Sequence, residues 1–256
     1  MNPITFFKPL VVAVALTFAA TVVAQTRIIA HRGYWQCDGS AQNSLTSLSE
    51  AWHAGCYGSE FDVWITADGV CVVNHDPTIE GIRIETACYD DLRQLTLSNG
   101  EPLPTLDDYL QRARICRGLR LVLEVKPHSS PERENLAVDR IVSLVEQAGL
   151  AGQTDYISFS MHVCERLAGM VKDCEIAYLS GDVSPEEIKA KGLTGVDYHE
   201  SVFKNHPEWI AACHELGLSV NVWTVDDLNH VADFIARGVD YITTNRPVEA
   251  LKLARP

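Results

Sequence analysis

Glu60 and Asp62 stand two residues apart in an apolar run over 59–65. In an extended strand that spacing sends both carboxylates to the same face. Buried side by side they repel and call for a cation, and an all-oxygen donor set suits magnesium or calcium. Glu124 and Lys126 repeat the spacing in another apolar run, so Glu124 can complete a three-carboxylate metal site while Lys126 faces a substrate anion. Two histidines close other runs, His31 before Arg32-Gly33 and His75 before Asp76. Two histidines, three carboxylates, an arginine and a lysine suit attack at phosphorus. The metal, Arg32 and Lys126 would neutralise phosphate oxygens as charge develops. One histidine would take a proton from the nucleophile and the other would protonate the leaving alkoxide. A lone Glu-x-Lys is ordinarily a surface ion pair and a lone His-Arg-Gly is common, so the chemistry depends on the elements that gather these residues.

Those elements alternate along the chain. Short β-branched runs at 27–31, 59–65, 119–125, 156–159, 176–179, 195–198, 218–223 and 241–243 are each followed by a helical pattern. The helices fall at 44–54, 106–115, 132–148, 162–171, 185–190, 207–216, 228–237 and from 248 onward. After the second strand the turn Ala67-Asp68-Gly69 leads into a returning hairpin arm at 70–75, which would fold His75 back toward Glu60 and Asp62. A polar, irregular stretch follows up to Pro104, with only 90–95 suggesting a helical turn. Eight strand-helix pairs in this length predict a closed (β/α)8 barrel with a short insertion after the second barrel strand. An open doubly wound sheet is the rival, weakened because no Gly-x-Gly-x-x-Gly follows the first strand. In a barrel the site lies at the C-terminal strand ends, where these residues fall.

The 256 residues, 46% of them hydrophobic, are enough for one large core. Residues 1–24 carry Lys8, then an apolar stretch, then Val22-Val23-Ala24, and read as a removable signal peptide, leaving 25–256 as the catalytic domain. The apolar stretch is shorter than the roughly 20 residues that span a bilayer. Export to the periplasm or beyond is therefore expected, with no stable membrane insertion after the segment is removed. The formal net charge of -13 disfavours tracking a nucleic-acid backbone but leaves room for one small anion. Eight scattered cysteines permit disulfides without requiring them, and none form the close pairs of a zinc knuckle.

The motifs His31-Arg32-Gly33, Gln42-Asn43-Ser44, Glu60-Phe61-Asp62-Val63, Thr66-Ala67-Asp68-Gly69, Val72-Val73-Asn74-His75-Asp76, Leu123-Glu124-Val125-Lys126 and Val222-Trp223-Thr224 resemble, in identity and order, those of the glycerophosphodiester phosphodiesterases. The resemblance spans essentially the whole chain after the signal segment. It implies a TIM barrel of the phospholipase-C-like phosphodiesterase type that hydrolyses glycerophosphodiesters to glycerol 3-phosphate and an alcohol with one Mg2+ or Ca2+. By position, His31 and His75 match the acid-base pair, and Glu60, Asp62 and Glu124 the metal ligands. Arg32 and Lys126 match phosphate contacts, Trp223 an aromatic residue near the substrate, and Asn43, which falls in the family's Glu-Asn-Thr motif, a further substrate-binding position. That motif departs here to Gln42 and Ser44, so a charged partner placed to orient Arg32 becomes a neutral amide. The short segment between His75 and Leu106, where the family carries a small subdomain over the pocket, leaves substrate choice open.

Two other functions fit these residues. A related barrel phosphodiesterase could act on phosphoinositides or sphingolipids and release a cyclic phosphate. A barrel that binds phosphodiesters without turnover would be expected to have lost a member of the catalytic set, and none is missing.

Overall fold

A computed structural model describes residues 25–255; the expected signal segment at 1–24 lies outside the described residues. The chain enters through strand β1 (Arg27–Ala30), helix α1 (Leu45–His53), strand β2 (Gly58–Ile65) and strand β3 (Cys71–Val73). The insertion holds β4 (Thr78–Ile79), β5 (Ile82–Arg83) and a single helical turn, α2 (Tyr89–Leu92). Alternation resumes with α3 (Leu106–Ala113), β6 (Arg120–Val125), α4 (Pro131–Gln147), β7 (Thr154–Ser158), α5 (Met161–Met170), β8 (Ile176–Tyr178) and α6 (Pro185–Ala190). It ends with β9 (Gly195–His199), α7 (Glu200–Asn205), α8 (Trp209–Glu215), β10 (Ser219–Trp223), α9 (Leu228–Ala236), β11 (Tyr241–Thr244) and α10 (Pro247–Ala254).

Eight parallel strands close into a ring in the order β1, β2, β6, β7, β8, β9, β10, β11 and back to β1, the expected (β/α)8 barrel. β3 stands outside it, antiparallel to β2 with Val63 opposite Val73. Because strand side chains alternate, the ring builds two cores at once. Phe61, Val63, Leu121, Leu123, Val220 and Val222 point outward into the layer shared with the helices. There Phe61 stacks on Tyr109 with ring centroids 4.2 Å apart. The inward set, Ile29, Val122, Ile157, Ala177, Leu179 and Tyr241, fills the barrel itself. Glu60, Asp62 and Glu124 share the inward phase, so the same alternation that secures β2 and β6 to the helices aims their carboxylates at the axis.

The stretch between His75 and Leu106 is more ordered than its polarity suggests. β4 and β5 pair as a small hairpin, Ile79 opposite Ile82. Trp64, Val72, Ile84, Leu92 and Leu103 form a separate apolar cluster beneath it. The expected turn at 90–95 is helical over Tyr89–Leu92, where Asp68 Oδ1 accepts from the Tyr89 N–H at 3.0 Å and ties the insertion to the β2–β3 turn. α7 was not anticipated; it is capped by the His199 side chain rather than by a serine or aspartate, so its start carries no familiar signal. All eight cysteines are unbridged, and Cys56, Cys71, Cys116, Cys164 and Cys213 are buried as small apolar side chains.

Candidate active site

The chain leaves β1 through a turn held in left-handed backbone, with φ +55° at Arg32 and +76° at Gly33. A Cβ on Gly33 would meet Ser47 Oγ at 2.3 Å and the Ser47 carbonyl carbon at 2.7 Å, so only glycine fits against α1. The turn is pinned to β2 by Glu60 Oε2, which accepts the Arg32 backbone N–H at 2.7 Å. Arg32 Nη1 donates to Gln42 Oε1 at 2.7 Å, so the neutral amide at 42 still orients the guanidinium. Arg32 Nε is buried without a hydrogen-bond acceptor, 3.8 Å from Asp62 Oδ2.

His31 lies beside that turn. Its Nδ1 is 2.9 Å from Asn245 Oδ1, just beyond β11. The amide orientation follows from its neighbours. Asn245 Nδ2 donates to Asp226 Oδ2 at 2.8 Å, and Trp35 Nε1, which can only donate, reaches Asn245 Oδ1 at 2.9 Å. Asn245 Oδ1 is therefore an acceptor, the proton sits on His31 Nδ1, and the lone pair is on Nε2. Burial, reinforced by Arg32, brings the imidazole down to about 4, so it is neutral near pH 7. His75 is more exposed, with Nδ1 2.7 Å from Asp76 Oδ1. Burial lowers it too, against the raising effect of Asp62.

Glu60, Asp62 and Glu124 each offer an oxygen within 4.8 Å of the others, all three side chains being buried. β2 and β6 run in register with Asp62 beside Glu124, which brings the carboxylates together. Burial, then the neighbouring carboxylates, raises Glu60 well above the usual range, and burial with Asp62 pushes Glu124 up to about 8. Burial alone would raise Asp62, but Lys126, His75 and Asn43 outweigh it and hold it far below. Glu124 Oε1 is buried and has the Lys126 ammonium as its close partner. Three buried carboxylates converging within 4.8 Å fit a hard divalent cation such as Mg2+ or Ca2+.

Two of the residues singled out in the sequence contact the carboxylates. Lys126 Nζ lies 2.8 Å from Asp62 Oδ1 and 2.9 Å from Glu124 Oε1, and its contacts are with the acidic cluster. Asn43, in left-handed backbone at φ +61°, donates Nδ2 to Asp62 Oδ2 at 2.8 Å and accepts the Asp62 backbone N–H at 3.2 Å. It braces Asp62. Neither side chain lines the cavity described next.

A cavity of about 200 Å³ opens at the C-terminal ends of the strands. One wall carries His31, Arg32, Glu60, His75 and Glu124, with Thr243 of β11 beside them; the other, from β7 to β10, carries Ile157, Phe159, Leu179, Asp197 and Trp223. Trp223 meets Phe159 edge-on at 5.5 Å and donates Nε1 to the Asp197 carbonyl at 2.8 Å. Sequence reasoning missed Asn245, Asp226, Phe159 and Asp197. The signal for Asp197 was present: it is the acidic residue at an inward position of β9, in phase with Asn221 on β10.

The chain as a whole is similar to known proteins. A glycerophosphodiester phosphodiesterase from Parabacteroides distasonis, known as a crystal structure, is 48% identical and superposes with a TM-score of 0.89 over 90% of this chain and 97% of that one. A phosphodiesterase from Oleispira antarctica, solved with its product sn-glycerol-3-phosphate, shares the fold at 22% identity and a TM-score of 0.75, covering 90% and 96% of the two chains. The glycerophosphodiester phosphodiesterase of Caldanaerobacter subterraneus is 24% identical over 90% of this chain and 98% of its own. Residues 31–249, which contain every side chain lining the cavity, match the model of the glycerophosphoryl diester phosphodiesterase family, and the chain belongs to that family.

Proposed function

We propose that this chain hydrolyses glycerophosphodiesters to glycerol 3-phosphate and an alcohol, using His31 and His75 as the acid-base pair and one divalent cation on Glu60, Asp62 and Glu124. The observation that carries the reading is the divided cavity, with acid-base groups, Arg32 and carboxylates on one wall and apolar side chains on the other. A divalent ion held by the three carboxylates would lend positive charge to the phosphate oxygens. Arg32, whose Nε has no acceptor of its own, binds the phosphate from the same wall. His31, protonated on Nδ1 by its bond to Asn245, presents Nε2 to the attacking hydroxyl and takes its proton. His75, near the solvent edge and steadied by Asp76, gives a proton to the leaving alkoxide. Lys126 holds Asp62 ionised, which keeps that carboxylate ready for the cation.

Export completes the reading. The Met1 to Ala24 segment has the signal-peptide pattern, and cleavage after Ala24 would leave β1, which starts at Arg27, intact. Among the described residues no helix is long and apolar enough to cross a membrane. Mass spectrometry of the expressed protein should find an N-terminus at Gln25; retention of Met1 would refute removal of the segment.

The catalytic test is glycerol 3-phosphate release from glycerophosphocholine, glycerophosphoethanolamine and glycerophosphoinositol with Mg2+, Ca2+ or EDTA. Release that needs metal and is abolished by both His31→Ala and Glu60→Gln supports the proposal. A cyclic phosphate from an inositol or sphingolipid substrate, or tight binding without turnover, would replace it with one of the other readings.

A further inference from the structure

The wall that β7 to β10 set opposite the acid-base groups is apolar except at one point, since Thr243 lines the cavity from β11 and its hydroxyl is taken by Asn221. Asp197 lies at an inward position of β9, only 2% exposed, and its Oδ1 accepts no hydrogen bond. The amide of its register neighbour Asn221 donates to Thr243 Oγ1 at 2.9 Å and also lies close enough to the Asp197 carboxyl to favour its ionised form, which still leaves Oδ1 without a partner. Trp223 takes the Asp197 backbone carbonyl and leaves the carboxyl alone. A carboxyl this deep in a barrel, short of partners, costs stability unless something supplied from outside completes it.

Its position says what that is. β9 is four strands from β2 in either direction around the ring, so Asp197 faces the metal-binding wall from directly across the axis. The leaving alcohol must sit by its proton donor, and His75, with 38% of its side chain exposed, is at the solvent edge. The glycerol that stays on phosphorus is then the part directed inward, between Phe159, Trp223, Leu179 and Ile157. Its C2 hydroxyl is held close to phosphorus and the opposite wall, while the terminal hydroxyl is the polar atom that extends farthest from it. A C–H surface against the aromatic rings and one hydroxyl at the far end match a wall that is apolar with a single polar group.

We propose that Asp197 is the specificity-determining residue for the glycerol moiety, its carboxyl forming the hydrogen bond to the terminal hydroxyl while Phe159 and Trp223 cover the carbon chain. The assignment rests on the hydrolase reading above. Burial raises Asp197 to about 7, so the carboxyl can hold a proton and either donate to or accept from a neutral hydroxyl.

The test compares glycerophosphocholine with the phosphocholine ester of propane-1,2-diol linked through C1, which keeps the C2 hydroxyl and lacks only the terminal one. A site built around a hydroxyl rejects an analogue without it strongly, so the wild type should favour the glycerol ester by at least about 100-fold in kcat/KM. In Asp197→Leu that ratio should fall to within about threefold, with thermal stability unchanged or raised, because an under-partnered buried polar group has been removed. A wild-type ratio near unity would overturn the assignment by itself, whether or not the variant folds. An equal loss on both esters in Asp197→Leu would also overturn it and make the residue structural. No turnover of either ester by the wild type would bring down the hydrolase reading and this assignment with it.

Discussion

Replacing Lys126 with methionine should unbalance the acidic cluster in a way that a metal ion can repair. The ammonium is 6% exposed and stands between two buried carboxylates, 2.8 Å from Asp62 and 2.9 Å from Glu124. Removing one member of a buried ion pair typically costs about 3–5 kcal/mol, because the other charge is stranded. Here part of the cost is already avoided. Burial and Asp62 push Glu124 toward its neutral form, so the loss falls mainly on Asp62. Asp62 keeps the Asn43 amide at 2.8 Å and Arg32 Nε at 3.8 Å. The lower end, about 3 kcal/mol, is therefore expected in EDTA, or roughly 6–12 °C in Tm for a domain of this size. The sign with pH follows from Asp62. Its depressed pKa stabilises the fold above the ordinary carboxylate range and loses that effect as pH falls, so the deficit of the variant should shrink in acid. Saturating Ca2+ or Mg2+ should also shrink it, since the ion restores the missing charge and binds the folded state alone. Differential scanning calorimetry of both proteins, with EDTA and with each ion, measures all of this. Equal Tm values in EDTA, or a deficit of the same size with and without metal, would refute the reasoning.

Three further outcomes follow from specific contacts. Asn245→Leu removes the acceptor that fixes the His31 tautomer across 214 residues of sequence, and should lower kcat about 10–100-fold with KM little changed in steady-state kinetics. Asp197→Asn should flatten the dependence of stability on pH: the native carboxyl at about 7 keeps a proton that the unfolded chain gives up near 4, so wild type loses stability as pH rises between them. The variant escapes this loss, and the gap between the two proteins in urea unfolding should shift by about 2–3 kcal/mol between pH 5 and pH 8. Gly33→Ala forces an L residue into φ +76° with its Cβ against Ser47 backbone, and should cost about 3 kcal/mol in chemical denaturation and move the His31-Arg32 turn enough to depress activity.

The barrel was legible because its signal is periodic. Inward and outward residues alternate in β2 and β6, and the same alternation that marks them as strands puts Glu60, Asp62 and Glu124 in one phase. What periodicity cannot carry is the partner of each polar group. Lys126 is in phase with Glu124, which made it a candidate to face the substrate, but spacing alone does not name Asp62 and Glu124 as the two carboxylates within reach of its ammonium. Asn43 sits in a motif singled out by the resemblance, and only the left-handed backbone at that position shows that its amide reaches Asp62. The bond from His31 to Asn245 joins the first strand to the end of the last and exists only because the ring closes between them. The insertion was read as irregular because its apolar residues, Ile84, Leu92 and Leu103, are too widely spaced to mark an element, and they find each other only over Trp64 and Val72.

The ring assigns different physical tasks to its two halves. The half around β1, β2 and β6 concentrates charge, and its members hold one another: Glu60 grips the Arg32 turn, Asn43 and Lys126 hold Asp62, and Gln42 aims the guanidinium. Such mutual support fixes the groups that act on phosphorus before substrate arrives, so little reorganisation is left for the reaction itself. The half around β7 to β10 is apolar and interrupted by one incompletely bonded carboxyl, so its complement comes from the ligand. Substitutions in the first half should therefore disturb stability and turnover together, because each removed partner strands a neighbour. Substitutions at Asp197 should separate the two, changing whether the group retained on phosphorus must be glycerol while leaving the fold intact or firmer, and that separation is what distinguishes a group kept for recognition from one kept for the fold.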